Sequence, residues 1–387
     1  MKKGVGSAAE MFEMLAILHL PAISGSGHPA EDGPAEHGPA EHGPAQPGPQ
    51  IAGVLARLQN MSDQEWSEFL HFAELQRVYL RTLQLLEKYT GGDVVAPRFK
   101  DLLQLAQVEQ QSVQASLATL DKIVRALATT GHTPLVIKSL DHWPDIGSDL
   151  DLFISASERD TVHAMQSELQ AETQPQSWGD RLAHKWNFRI PGLSRLVEIH
   201  VGCLGQTGEQ DELPRQLEKT SVLREVGPFR FRVPAPEEQV TLATLQRMYR
   251  HFYIRFTDLL NLTGLVRSGR LDFTRLQAST QQWSIWPGVA TLLKITSAYN
   301  QRVGVGPLPL PDFVVRSARF GADATYVGKQ FLRVPMLPQG SQLFLQQLVG
   351  TGVTRRFRSA ARLSLLPVLA VAAFVNLRIT GDDKGIW

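Results

Sequence analysis

Cysteine is almost absent: Cys203 is the single one in 387 residues. One thiol excludes an internal disulfide framework and the small secreted scaffolds that depend on one, and it fits a reducing compartment. Net charge is missing too. Lys and Arg number 39 against 38 Asp and Glu, a formal charge of +1, so no global preference for polyanions follows and any phosphate contact has to come from a local cluster. Long apolar runs are also lacking; none reaches the roughly 18 residues of a membrane-spanning helix. Lys2 and Lys3 ahead of Met11 to Ile23 have the outline of a signal peptide. Glu13 and His19 interrupt its apolar part and no small-residue cleavage site follows, so residues 1–23 are expected to form a short helix of a cytoplasmic protein. What remains is ordinary globular material, 43% hydrophobic and 20% charged, enough for two domains or one domain with helical extensions.

Along the chain, residues 24–50 repeat Gly-Pro-Ala-Glu-His from Gly33 onward. Such a Pro/Gly tract cannot bury a core and is expected to be a low-complexity linker, its histidines reflecting the repeat rather than a metal site. Residues 51–131 are expected to be helical. Ser62-Asp63-Gln64-Glu65 is a capping-box pattern, and Trp66, Phe69, Leu70, Ala73, Val78, Leu83 and Leu86 recur at helical spacing up to Gly91-Gly92. A second helix is expected from about Pro97 to Ala128, with Leu102, Leu105, Val108, Val113, Leu117, Leu120, Val124 and Leu127 as its stripe. Residues 132–235 read as a core of strands and helices, and 236–387 as a C-terminal helical domain opened by a long helix from Pro236 through Leu260. In the tail, Arg355, Arg356, Arg358 and Arg362 precede an apolar run from Leu363 to Leu377. Residues 355–377 are therefore a candidate for weak contact with a membrane surface. A terminal helix docked on the core is the commoner use of such a run. No nucleic-acid surface stands out.

Chemistry concentrates in two stretches. Leu135 to Ser139 reads as a buried strand, and nine residues later Asp149-Leu150-Asp151-Leu152-Phe153-Ile154 reads as a second. Strand side chains alternate faces, so Asp149 and Asp151 point one way and Leu150, Leu152 and Ile154 the other. Two such carboxylates suit Mg²⁺ or Mn²⁺, which take hard oxygen ligands. Further on, His184 to Ile190 and Arg195 to Gly202 flank Pro191-Gly192-Leu193-Ser194. A four-residue loop pairs Phe188 with Val197 and Trp186 with Ile199, gathering those four on an apolar face and Lys185, Asn187, Glu198 and His200 on the other. Glu198 is thereby the candidate third carboxylate and general base, completing a metal and catalytic set of Asp149, Asp151 and Glu198. Lys138 and Ser139, Gly147 and Ser148, Lys185 and His200 are the candidate nucleotide-binding residues, with Arg181 a further cation. Asp-x-Asp in isolation is a common strand pattern, and Lys138 could serve only to pair with one of the aspartates.

Lys138-Ser139 followed by Gly147-Ser148-Asp149-Leu150-Asp151-Leu152-Phe153-Ile154 resembles the nucleotidyltransferase superfamily of the DNA polymerase β type. More closely, the chain resembles the bacterial uncharacterised nucleotidyltransferase family, through Glu198-Ile199-His200 as acid-x-His and through Pro236, Gln239, His251 and Asp258 as a His-bearing helix opened by Pro-x-x-x-Gln. Ser139 stands where that family has glycine, the segment to Asp149 is short, and the family's arginine just ahead of the Asp-x-Asp strand is absent. The resemblance implies an α+β fold, a small mixed β-sheet core with helical N-terminal and C-terminal regions. It also implies metal-dependent transfer of a nucleoside monophosphate from an NTP, with ATP the first candidate, to an unknown acceptor (small molecule, saccharide or protein) with release of pyrophosphate. Relatives of this kind are associated with surface-polysaccharide and small-molecule modification. Two other readings stay open: a catalytically degenerate nucleotide- or partner-binding module, and a glycoside hydrolase using Asp151 and Glu198 as acid and base.

Overall fold

The computed structural model describes residues 7–25, 47–90, 99, 101–210 and 212–380. Its N-terminal part is helical: α1 (Ala8–Gly25), α2 (Pro49–Gln59), α3 (Asp63–Leu75), α4 (Tyr79–Thr90) and α5 (Leu102–Ala128). Most of the expected linker, and Pro97 at the expected start of α5, lie outside the described residues. Ser62 caps α3 as its pattern implies, its hydroxyl accepting from Glu65 N–H while Glu65 accepts from Ser62 N–H at 2.8 Å. The single helix expected from Ser62 to Gly91 is two helices. Arg77 turns left-handed at φ +59° between them, and the break is held from afar. The buried Gln76 side chain accepts from Phe256 N–H at 2.7 Å and donates to Gln330 carbonyl, while Asp145 accepts from Leu80 N–H at 2.7 Å and Arg81 N–H at 3.3 Å at the start of α4. Along α5 the expected apolar stripe packs inward except at Val108, which is exposed.

A five-stranded mixed sheet follows, in the order β1 (Leu135–Val136), β2 (Asp149–Ile154), β5 (Leu196–Val201), β4 (Lys185–Arg189) and β3 (Glu172–Thr173), with α6 (Glu158–Leu169) and α7 (Trp178–Leu182) in its connections. Strands β2 and β5 run parallel and the other neighbours antiparallel. The hairpin register matches the alternation of its residues: Trp186 pairs with Ile199, Asn187 with Glu198 and Phe188 with Val197. Phe188, Val197 and Ile199 are buried on the apolar face, as are Leu150, Leu152 and Ile154 of β2. The fold is α+β, a small mixed sheet flanked by helices on both sides in sequence.

Beyond the sheet come α8 (Leu213–Thr220), a hairpin of β6 (Val222–Val226) and β7 (Phe229–Val233), and α9 (Pro236–Thr244). The helix expected to continue to Leu260 does not. It loosens into a π-helical turn over Leu245–Arg250, and Phe252 is left-handed at φ +51°. Then β8 (Tyr253–Ile254) leads into α10 (Phe256–Arg267). No glycine or proline marks the break. Asp258 starts a new helix instead, its carboxylate at the third helical position accepting the N–H of the N-cap residue Arg255 at 2.7 Å, and Tyr253–Ile254 gain strand partners far along the chain. After α11 (Phe273–Gln281), α12 (Trp286–Arg302) and α13 (Asp312–Ser317), the strands β9 (Tyr326–Gly328) and β10 (Phe331–Arg333) form a three-stranded sheet with β8, which nothing in the sequence announces. Two helices close the described chain, α14 (Ser341–Val353) and α15 (Phe357–Thr380).

Candidate active site

Parallel pairing sets Asp151 of β2 opposite Glu198 of β5. Both side chains stand on the polar face, and each is held by cations. Lys138 Nζ lies 2.6 Å from Asp151 Oδ1 and 4.0 Å from Glu198 Oε1. Lys185 Nζ lies 3.1 Å from Glu198 Oε2 and 2.7 Å from Asp180. His200 donates Nε2–H to Glu198 Oε1 at 2.9 Å, leaving its buried Nδ1 without a partner. Burial pushes Asp151 up to about 6, with Lys138 pulling it down and Glu198 adding to the rise. Burial pushes Glu198 the same way, but the His200 hydrogen bond and the charges of Lys138 and Lys185 hold it well below the usual carboxylate range. Burial keeps His200 neutral, lowering it to about 4.

Ligand atoms of Asp151, Glu198 and His200 come within 4.8 Å of one another. Asp149 lines one chamber with Asp151 and Glu198 and hydrogen-bonds to Ser148, whose hydroxyl donates to Asp149 Oδ2 at 3.1 Å, whereas His200 lines a neighbouring cavity. This donor set fits a divalent cation: two facing carboxylates with a third beside them supply hard oxygens. Facing carboxylates need a cation between them, and Lys138 provides one.

The Lys138–Ser139 turn lines the chamber with the carboxylates. Lys138, not Ser139, takes the left-handed conformation, at φ +84°, so serine in place of the family's glycine meets no backbone penalty there. The Ser139 hydroxyl accepts Asp151 N–H at 2.7 Å and so fastens the turn to β2. At the second turn, Gly147 carbonyl accepts from Arg195 Nε at 3.0 Å, and Arg195 reaches back to Ser112 and Ser116 of α5. Arg181 is exposed and Lys185 points at carboxylates, so neither stands among the residues lining the chamber.

Cations line the opposite wall instead, and the sequence did not signal most of them. Arg77 from the α3–α4 break, Arg247 and Arg250 from the π turn, and Arg255 at the start of α10 close over a chamber of about 220 Å³ with His251 and Tyr253. Arg77 donates to Ser148 Oγ at 2.6 Å, supplying the arginine next to the Asp-x-Asp strand from elsewhere in the chain. The Nε atoms of Arg77, Arg250 and Arg255 are buried without a hydrogen-bond acceptor. Burial lowers Arg77, with Arg255 adding repulsion, and lowers Arg255, with Arg247 adding repulsion. His251 sits among them, driven down to about 2 by burial and then by Arg250 and Arg247. Asp258 serves the fold, lying 2.6 Å from buried Arg247.

The model of the family described as uncharacterised nucleotidyltransferase matches residues 62–299. The chain belongs to that family. Every chamber residue named above lies inside the matched span, so the carboxylate pair and the arginine wall are both parts of this nucleotidyltransferase unit. No curated protein and no solved structure matches the chain.

Proposed function

We propose that the protein transfers a nucleoside monophosphate from an NTP, ATP being the first candidate, to an acceptor hydroxyl or phosphate and releases pyrophosphate. One observation carries the reading: a register-locked pair of carboxylates faces, across a single chamber, three half-buried arginines (Arg77, Arg250 and Arg255) whose buried Nε atoms have no acceptor. Buried guanidinium donors without acceptors are costly, and a triphosphate supplies those acceptors with opposite charge. Arg77, Arg250 and Arg255 would bind the β- and γ-phosphates and stabilise pyrophosphate as it leaves.

Asp149, Asp151 and Glu198 would hold Mg²⁺ or Mn²⁺. When bound, the ion lowers the pKa of the acceptor oxygen and neutralises the phosphate charge. His200 and Lys185 orient Glu198. Ser139 keeps Asp151 on its strand. In the transfer, the acceptor oxygen bonds to the α-phosphorus as the α–β bridging bond breaks. Pyrophosphate departs with that electron pair, and the acceptor proton passes to the coupled Asp151–Glu198 pair.

Incubating the full chain with each α-labelled NTP, Mg²⁺ or Mn²⁺ and candidate acceptors tests the reading. Label transfer and pyrophosphate release are expected from the wild type and not from Asp149→Ala/Asp151→Ala. Equal release from both would overturn it. A second reading, a nucleotide-binding module without turnover, is favoured by Lys138 sitting between the two carboxylates. It predicts NTP binding that persists in Asp149→Asn, with no pyrophosphate from either protein.

A further inference from the structure

The outward side of α15 is aliphatic, the reverse of the usual surface helix, whose polar side faces water. Val368, Val371, Val375 and Ile379 follow one another at helical spacing with 48 to 77% of their surface exposed, and Phe357 opens the same stripe. The other side is the docked one. Ser359 and Leu363 are buried, and Arg362 donates to Gly208 carbonyl in the loop after β5. Helix α14, packed alongside, adds Leu345, Val349 and Val353, spaced four apart and likewise exposed.

Charge on this segment has one sign. Between Asp323 and Asp382 there is no acidic residue and there are seven basic ones. Arg355 and Arg358 are exposed where α14 turns into α15, and Arg378 is exposed at its far end. Beside Leu345 and Val349 opens a groove of about 700 Å³ whose lining includes Arg316 and Arg319.

We propose that α14 and α15 lie on an anionic lipid surface, with the aliphatic stripes in the boundary between headgroups and acyl chains and the arginines on lipid phosphates. Apolar stripes flanked by arginine are the composition of helices that lie in a membrane interface. A spanning role does not arise, because no helix among the described residues is long and apolar enough to cross a membrane. A second copy of the chain is a poorer occupant. Two copies meeting symmetrically on this face would set Arg355 and Arg358 against one another with no acidic residue of α14 or α15 to answer them. The inference does not depend on what reaction the protein catalyses.

Co-sedimentation of the full chain with vesicles tests it. Binding is expected to phosphatidylcholine vesicles containing phosphatidylglycerol and not to phosphatidylcholine alone, and it is expected to weaken with added NaCl. Val368→Asp/Val371→Asp is expected to lower the partition at least about tenfold, and Arg355→Gln and Arg358→Gln roughly fivefold each. Melting temperatures of these variants are expected to match the parent, because each side chain already faces solvent. Failure to bind anionic vesicles, equal binding to neutral ones, or a lowered melt of the valine variant would overturn the proposal. Concentration-dependent dimers abolished by Val368→Asp/Val371→Asp, without vesicle binding, would assign the face to a second copy instead.

Discussion

Asp151 and Glu198 stand opposite each other in the parallel register of β2 and β5, with the Lys138 ammonium reaching both. That ammonium holds the two negative charges together where the proposed chemistry needs a divalent cation. Lys138→Met should therefore leave the carboxylates uncompensated. The expected result is a lower melting temperature without metal and a larger Mg²⁺-dependent rise than in the wild type, since a ligand stabilises the state that binds it. An equal rise in both proteins would show that Lys138 and the metal do not compete.

Glu198 should matter to folding as well as turnover. Glu198→Ala leaves Lys185, His200 and Lys138 without their shared acceptor, and breaking a buried ion pair from one side costs roughly 3–5 kcal/mol. Among the described residues, the Asp149 side chain accepts a hydrogen bond from the Ser148 hydroxyl alone, so Asp149→Ala should abolish pyrophosphate release with little change in melting temperature. Thermal melts and pyrophosphate assays on both variants separate the two effects.

The arginines should divide in the same manner. Arg77→Ala and Arg255→Ala are expected to raise KM for the NTP about tenfold or more, the worth of a charge-assisted hydrogen bond to phosphate. Arg247→Ala should instead unfold the protein at lower temperature, because it abandons Asp258 in the interior. Steady-state kinetics beside a denaturant titration decide this. A KM change in Arg247→Ala without lost stability would reassign that residue to the ligand.

Asp141 lines a cavity between the α4 side of the molecule and α10, and burial pushes it up to about 7. An acid whose folded pKa lies above its unfolded value, here 3.8, adds stability that is complete below that value. The contribution falls as the pH rises and is gone above about 7. Replacing it with Asn should remove this loss, raising the melting temperature at pH 8 by a few degrees while leaving it nearly unchanged or lower at pH 4. Asp145 shares the upward shift, again to about 7, but caps α4. Asp145→Asn should not stabilise the protein at pH 8. Melting curves against pH read both outcomes.

Much of the site was legible because local rules carry it. Alternation on β2 places Asp149 and Asp151 on one face whatever the rest of the chain does. The four-residue hairpin loop leaves a single register that buries Phe188, Val197 and Ile199, and this register turns Glu198 and His200 to the polar face. The capping box at Ser62 is local in the same sense. The arginine wall was not legible. Arg77 reaches Ser148 because α3 breaks where Gln76 finds Phe256 and Gln330, partners 180 and 254 residues away. Arg250, His251 and Arg255 reach the chamber because a helix of unbroken periodicity stops at Phe252 to pair β8 with β10.

By itself, then, the sequence determined which residues carry negative charge and which strands hold them, since strand alternation and turn length act over a few residues. Only the tertiary structure decided what faces that charge. It fastened the Ser139 hydroxyl to β2, kept Lys185 on the carboxylates, and brought Arg77, Arg250 and Arg255 from distant breaks in two helices. Those breaks exist because buried groups such as Gln76 and Asp145 must find hydrogen-bond partners, and no local periodicity records where such partners are.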